Sequence, residues 1–148
     1  VTCVESVDSA AIAARLDRRC ATLGRDLDVM VQVNVSGEPT KSGVAPDDAA
    51  ALAAEVAALP HLRLVGFMTI GLNSPDAGLV RAGYARLREV RDAVVREVPT
   101  ARELSMGMSG DLELAVAEGA TLVRVGTAVF GARPAPATAR WRATVKDA

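Results

Sequence analysis

Two pairs of small residues near the end of this 148-residue chain carry its clearest chemical signal. Ser109-Gly110 and Gly126-Thr127 each follow an apolar run that reads as a β-strand. Turns of this kind, at the carboxyl ends of parallel strands, aim backbone N–H groups at one point and hold phosphates. Gly110, lacking a side chain, lets an anion approach closely. The Ser109 hydroxyl and the N–H groups of Gly110 and Asp111 are the expected donors. Taken alone, Ser109 is a plain helix cap and Gly126-Thr127 a plain strand exit. Their repetition on consecutive βα units is what points to an anion.

Arg124 lies in an otherwise apolar strand just before the second turn. Burying an unpaired guanidinium costs several kcal/mol in order-of-magnitude terms. Arg124 therefore needs solvent, a carboxylate such as Glu103 or Glu118, or a ligand heteroatom. Lys41, in GEPTKSG, is one of two lysines, the other being Lys146. It is the sole amine near the loop face that can form an imine. Its place on a polar loop rather than in an apolar strand argues against a nucleophile. His61, the only histidine, precedes a strand and so lies at the amino end of the sheet, away from where such folds bind ligands. Asp8, Asp76 and Asp111 begin helices and read as caps. Cys3 and Cys20 have no metal-ligand spacing and read as reduced thiols of a cytosolic protein. The chain carries no nucleophile elbow and no Walker or Rossmann fingerprint.

The elements that must position these residues alternate from end to end. Strands are expected over Val1 to Val7, Asp28 to Val35, Leu62 to Ile70, Glu103 to Met108 and Thr121 to Val125. The first helix starts at the Asp8-Ser9 cap, carries Ile12, Leu16, Cys20 and Leu23 on its apolar stripe, and stops at Gly24. The second runs from Pro46 to Pro60. The third starts at Ser74-Pro75-Asp76, carries Leu79, Tyr84, Leu87, Val90, Val94 and Val98, and stops at Pro99. The fourth spans Ser109 to Glu118. Five strands with helical crossovers imply a parallel α/β sheet. Half of the residues are hydrophobic but only 3% are aromatic, so Ala, Val and Leu must build the core. A net charge of −1 gives no electrostatic case for nucleic acid or an anionic membrane surface. No apolar run is long enough to span a bilayer. Five strands suit either a small open α/β domain or part of an eight-stranded barrel, which needs about 250 residues. A chain that opens on Val1, directly in a strand, is expected to continue a longer sequence.

Four segments resemble the pyridoxal-phosphate homeostasis proteins: VESVD, VQVNVSGEPTKSG, LVGFMTIG and LSMGMSGDLELAVAEGATLVRVGTAVFGAR. The resemblance favours the barrel. It implies an α/β fold, a partial (β/α)8 TIM-type barrel like the N-terminal domain of alanine racemase, comprising about the last five βα units. Residues 1–133 are then barrel domain and 134–148 a C-terminal tail. The function implied is binding and buffering of pyridoxal 5′-phosphate in the cytoplasm for apoenzymes that need it, without catalysis. Ser109, Gly110, Gly126 and Thr127 correspond to the phosphate-holding turns. Arg124 corresponds to the arginine that faces the pyridine nitrogen and leaves it unprotonated, which weakens the ring as an electron sink. Met68-Thr69 corresponds to the strand end near the cofactor ring, and Lys41 to a basic residue near its phenolic side. The family's Schiff-base lysine belongs to a first-strand segment that this sequence does not contain. The expectation is therefore an N-terminally truncated chain that keeps the phosphate half of the site. An amino-acid racemase is the rival reading. It needs a second domain with a catalytic tyrosine, and the lone Tyr84 sits mid-helix. A barrel for another phosphorylated ligand is a third.

Overall fold

Alternate residues of the central strands face two different environments, and that alternation organises the molecule. The structure, a computed structural model, describes residues 1–132. Its elements run β1 (Cys3–Val7), α1 (Ala10–Leu23), β2 (Leu27–Gln32), α2 (Ala49–Ala57), β3 (Leu62–Met68), α3 (Ala77–Val94), β4 (Glu103–Met108), α4 (Leu112–Ala117), β5 (Leu122–Arg124) and α5 (Thr127–Phe130). The five strands form one sheet in sequence order, and each neighbouring pair is parallel. The strand ends at Asn34, Thr69, Met108 and Gly126 thus share one edge, as the uniform βα order requires.

One face of the sheet packs on the helices. Val29 and Val31 of β2, Leu64 and Phe67 of β3, and Leu104 and Met106 of β4 are almost completely buried there. They join Ala13 and Cys20 of α1, Leu52, Ala53 and Val56 of α2, and Tyr84, Leu87, Val90 and Val94 of α3 in one core. The other face carries polar groups. Ser105 of β4 donates to Glu5 Oε2 of β1 at 2.6 Å, although β2 and β3 lie between those strands. In a flat sheet three strand spacings would separate them by about 14 Å. The sheet must therefore curl, with the helices outside and the Glu5–Ser105 bond within.

Several expected boundaries shift. Helix α1 is capped as its residues suggest: Ser9 Oγ accepts the Ile12 N–H at 3.4 Å, and Gly24 adopts φ +58°. Its buried side chains, however, are Ala13 and Cys20, while Ile12 and Leu23 are exposed. In α3 Val80, not Leu79, faces the core. Asp76, the cap of α3, accepts from the N–H groups of Gly78 and Leu79. Helix α4 begins at Leu112 rather than Ser109, and α5 stands where a simple turn was expected. The expected division at residue 133, with the tail beyond it, falls outside the described residues. Among the described residues no helix is long and apolar enough to cross a membrane.

Candidate anion site at the carboxyl edge

The two small-residue turns meet. The Ala128 N–H donates to Ser109 Oγ at 3.2 Å, joining the turn after β4 to the start of α5. The Ser109 hydroxyl accepts in this bond, and among the described residues its own hydrogen has no acceptor. Ser109, Gly110, Arg124, Gly126 and Thr127 all line one cavity of about 600 Å³, together with Met108, Phe130 and residues 131–132. A Cβ added at Gly110 or Gly126 would have no heavy atom within 4 Å. The space beside each glycine is therefore open, as an anion approaching the backbone requires. Among the described residues, the N–H groups of Gly110, Gly126 and Thr127 have no acceptor. The Asp111 N–H, expected to join them, instead closes the turn onto Met108 O at 3.1 Å. With α4 six residues long and α5 four, the donors are turn amides rather than long helix dipoles.

Arg124 is aimed by its neighbours. Nη1 donates to Ser105 Oγ at 2.6 Å and Nη2 to the Thr69 carbonyl at 2.7 Å. Glu5 lies 4.0 Å away across the inner face. These groups supply the partner that sequence reasoning sought in Glu103 or Glu118. Glu118 is instead held by Arg81 at 2.6 Å and Arg88 at 2.7 Å. Glu5 was not expected at the site, and only the pattern of alternate residues on β1 hints at its inward face. Two hydrogen bonds leave Arg124 with N–H donors to spare toward the cavity it lines.

Lys41 occupies the neighbouring cavity, of about 640 Å³, which shares Met108 and Gly110 with the first. Its ammonium donates to Glu38 Oε1 at 2.7 Å and to the Gly71 carbonyl at 3.0 Å. The loop that carries it is internally bonded rather than loose. Asn34 Nδ2 donates to the carbonyls of Glu38 and Lys41, and Ser36 Oγ donates to Asn34 Oδ1. Met68 is nearly buried at the end of β3 and lines neither cavity. Thr69 is completely buried, and its hydroxyl donates to the Val33 carbonyl at 2.7 Å. His61 sits at the amino edge as expected, with its N–H on Asp17 and Nδ1 3.4 Å from Asp26.

A curled run of parallel βα units, with two small-residue turns that meet at its carboxyl edge and an inward arginine, defines a segment of a racemase-type barrel. The chain belongs to the family described as alanine racemase, N-terminal domain, which matches residues 2–134. It is 50% identical over 130 residues to the pyridoxal phosphate homeostasis protein of Pseudomonas aeruginosa, covering 88% of this chain and 55% of that protein. Its fold superposes with a TM-score of 0.86 on a crystal structure of an unknown protein from Bifidobacterium adolescentis, at 44% identity, covering 88% of this chain and 53% of that one. PipY of Synechococcus elongatus, solved with PLP bound, gives a TM-score of 0.78 at 39% identity, covering 88% of this chain and 61% of that one. The chain thus spans a little over half the length of these relatives. The resemblance drawn from its motifs and the partial barrel are both borne out.

Proposed function

We propose that this chain forms the phosphate-holding part of a protein that binds pyridoxal 5′-phosphate and carries it, in the cytoplasm, to apoenzymes that need it. The observation that carries the reading is the junction of the Ser109-Gly110 and Gly126-Thr127 turns around one open cavity that also holds Arg124. The name of the Pseudomonas relative and the PLP bound to PipY support the choice of ligand. Residues 1–133 are assigned to the barrel and 134–148 to a tail.

The residues present fit the group. The Ser109 hydroxyl and the N–H groups of Gly110, Gly126 and Thr127 would hold the phosphate in space no side chain fills. Arg124 would donate to the ring nitrogen. A guanidinium keeps its own proton, so it holds that atom as an acceptor. When bound, the cofactor supplies an aldehyde that combines with amines and a ring that can draw electrons from them. Lys41 would lie on the side of the second cavity, where Glu38 and Gly71 hold its ammonium as a donor. Met68 would support the strand end beneath the ring. A carrier role is favoured over turnover because the groups around the cavity hold and orient. Tyr84, the lone tyrosine, is buried and bonded to Asp111 rather than turned to a ligand.

Calorimetry on the intact protein tests this reading. Pyridoxal 5′-phosphate should bind much more tightly than pyridoxal. Gly126→Glu places a carboxylate where the phosphate sits. Each charge-assisted contact is worth roughly 1.5–3 kcal/mol. Loss of several should weaken pyridoxal 5′-phosphate by at least about 100-fold while pyridoxal changes little. Normal affinity in that variant would place the phosphate elsewhere and sink the proposal.

A further inference from the structure

Asp111 precedes α4 at the cap position, yet its side chain makes no bond to that helix. Both carboxylate oxygens point to other work. Oδ1 accepts the Met108 N–H at 2.6 Å, and Oδ2 accepts the Tyr84 hydroxyl at 2.7 Å. The Asp111 N–H returns to the Met108 carbonyl at 3.1 Å. Residues 108–111 are thus closed into a ring from within, and that ring presents Ser109 and Gly110 to the cavity.

Tyr84 reaches this ring from the middle of α3, where it is completely buried. Its hydroxyl passes over Gly71, where an added Cβ would overlap it. Burial and the Asp111 carboxylate push the Tyr84 phenol up, against a small opposing pull from Arg124 and the Gly107 backbone, so the group stays a donor. A carboxylate one residue from a phosphate-holding glycine repels the ligand it adjoins. Its presence costs affinity unless it does something there that a neutral residue would not.

We infer that Tyr84 and Asp111 are positioning residues for the phosphate of the ligand proposed above, fixing the Met108–Asp111 turn from the core side so that its donors are aimed before the ligand arrives. Preorganised donors lose less freedom on binding than donors on a loose turn. The inference rests on the phosphate-site reading. It predicts that the strut acts on the phosphate and not on the ring.

The experiment measures affinity for pyridoxal 5′-phosphate and for pyridoxal in the intact protein, alongside denaturant unfolding. Tyr84→Phe removes one oxygen atom and leaves the ring in the core. It should weaken pyridoxal 5′-phosphate roughly tenfold and pyridoxal by less than about twofold. Asp111→Ala should weaken the phosphorylated ligand more. Asp111→Asn, which keeps an acceptor for the Met108 N–H, should restore part of the loss. Should Asp111→Ala fail to fold, Tyr84→Phe and Asp111→Asn carry the test. Equal weakening of both ligands, or none, overturns the inference and leaves a plain core contact. If the parent protein shows no preference for the phosphorylated ligand, both the site and the strut fall. If the preference exists, is lost in Gly126→Glu and is intact in Tyr84→Phe, only the strut falls.

Discussion

Gly66 and Gly126 sit in the same kind of repeating βα chain, and neighbouring atoms give them opposite reasons to be glycine. At Gly66 on β3 an added Cβ would overlap the Glu103 carbonyl of β4, so the two strands can close only over a residue with no side chain. At Gly126 the same atom would meet nothing within 4 Å. Gly66→Ala should therefore cost about 1–3 kcal/mol of unfolding free energy through overpacking. Gly126→Ala should stay within about 0.5 kcal/mol. Denaturant titration of both variants checks this, and equal costs would contradict the packing described. Gly126 was legible in the sequence as a candidate site residue because it follows a strand and precedes a small polar residue. Gly66 was not, because its reason lies on another strand.

At the scale of elements, helices α3 and α4 are joined through one carboxylate. Glu118, following α4, is nearly buried and accepts from Arg81 and Arg88 of α3. Hydrogen bonding from Arg81, ahead of burial that opposes it and of the charge of Arg88, holds the Glu118 carboxyl below the usual carboxylate range. A group whose folded pKa is depressed adds stability above its unfolded pKa and loses it as pH falls through the folded value. Glu118→Gln should thus lower the unfolding midpoint at neutral pH. The gap to the parent should stay constant down to about pH 5 and close progressively below about pH 4. A gap that widens on acidification would contradict the ion pair's role. The start of α4 was misjudged at this same scale. Ser109 looks like a cap from its neighbours, but Asp111 turns back to Met108 and Tyr84, and the helix waits until Leu112.

Over the whole molecule, the polar line Glu5–Ser105–Arg124–Thr69 crosses the inner face and ties four strands or strand ends together. Glu5 and Ser105 are in direct contact, so their substitutions should not be additive. A double-mutant cycle of Glu5→Gln with Ser105→Ala should give a coupling of about 0.5–2 kcal/mol in unfolding free energy. Simple additivity would mean that the bond does not hold the curl. The same line aims Arg124, so Ser105→Ala should also weaken a heteroaromatic ligand, which competition calorimetry with pyridoxal reads directly.

What the sequence determined by itself is what near neighbours decide. The near-continuous apolar run DVMVQVNV, the period near four in the α3 stripe, the caps at Ser9, Gly24 and Asp76, and the small residues after β4 and β5 all act within a few positions. They were enough to predict five parallel strands, their carboxyl edge and two anion turns upon it. The inward phase of a helix was harder, since an error of one residue turns the stripe by about 100° and exchanges Leu79 for Val80. Only the tertiary structure decided the contacts that bring the turns and their neighbours together. Glu5 meets Ser105 across 100 residues, Arg124 meets Thr69 across 55, Lys41 meets Gly71 across 30 and Tyr84 meets Asp111 across 27. The first two reach past an intervening strand and depend on how far the sheet curls, and curl is a sum of small twists over every strand pair that no single segment encodes.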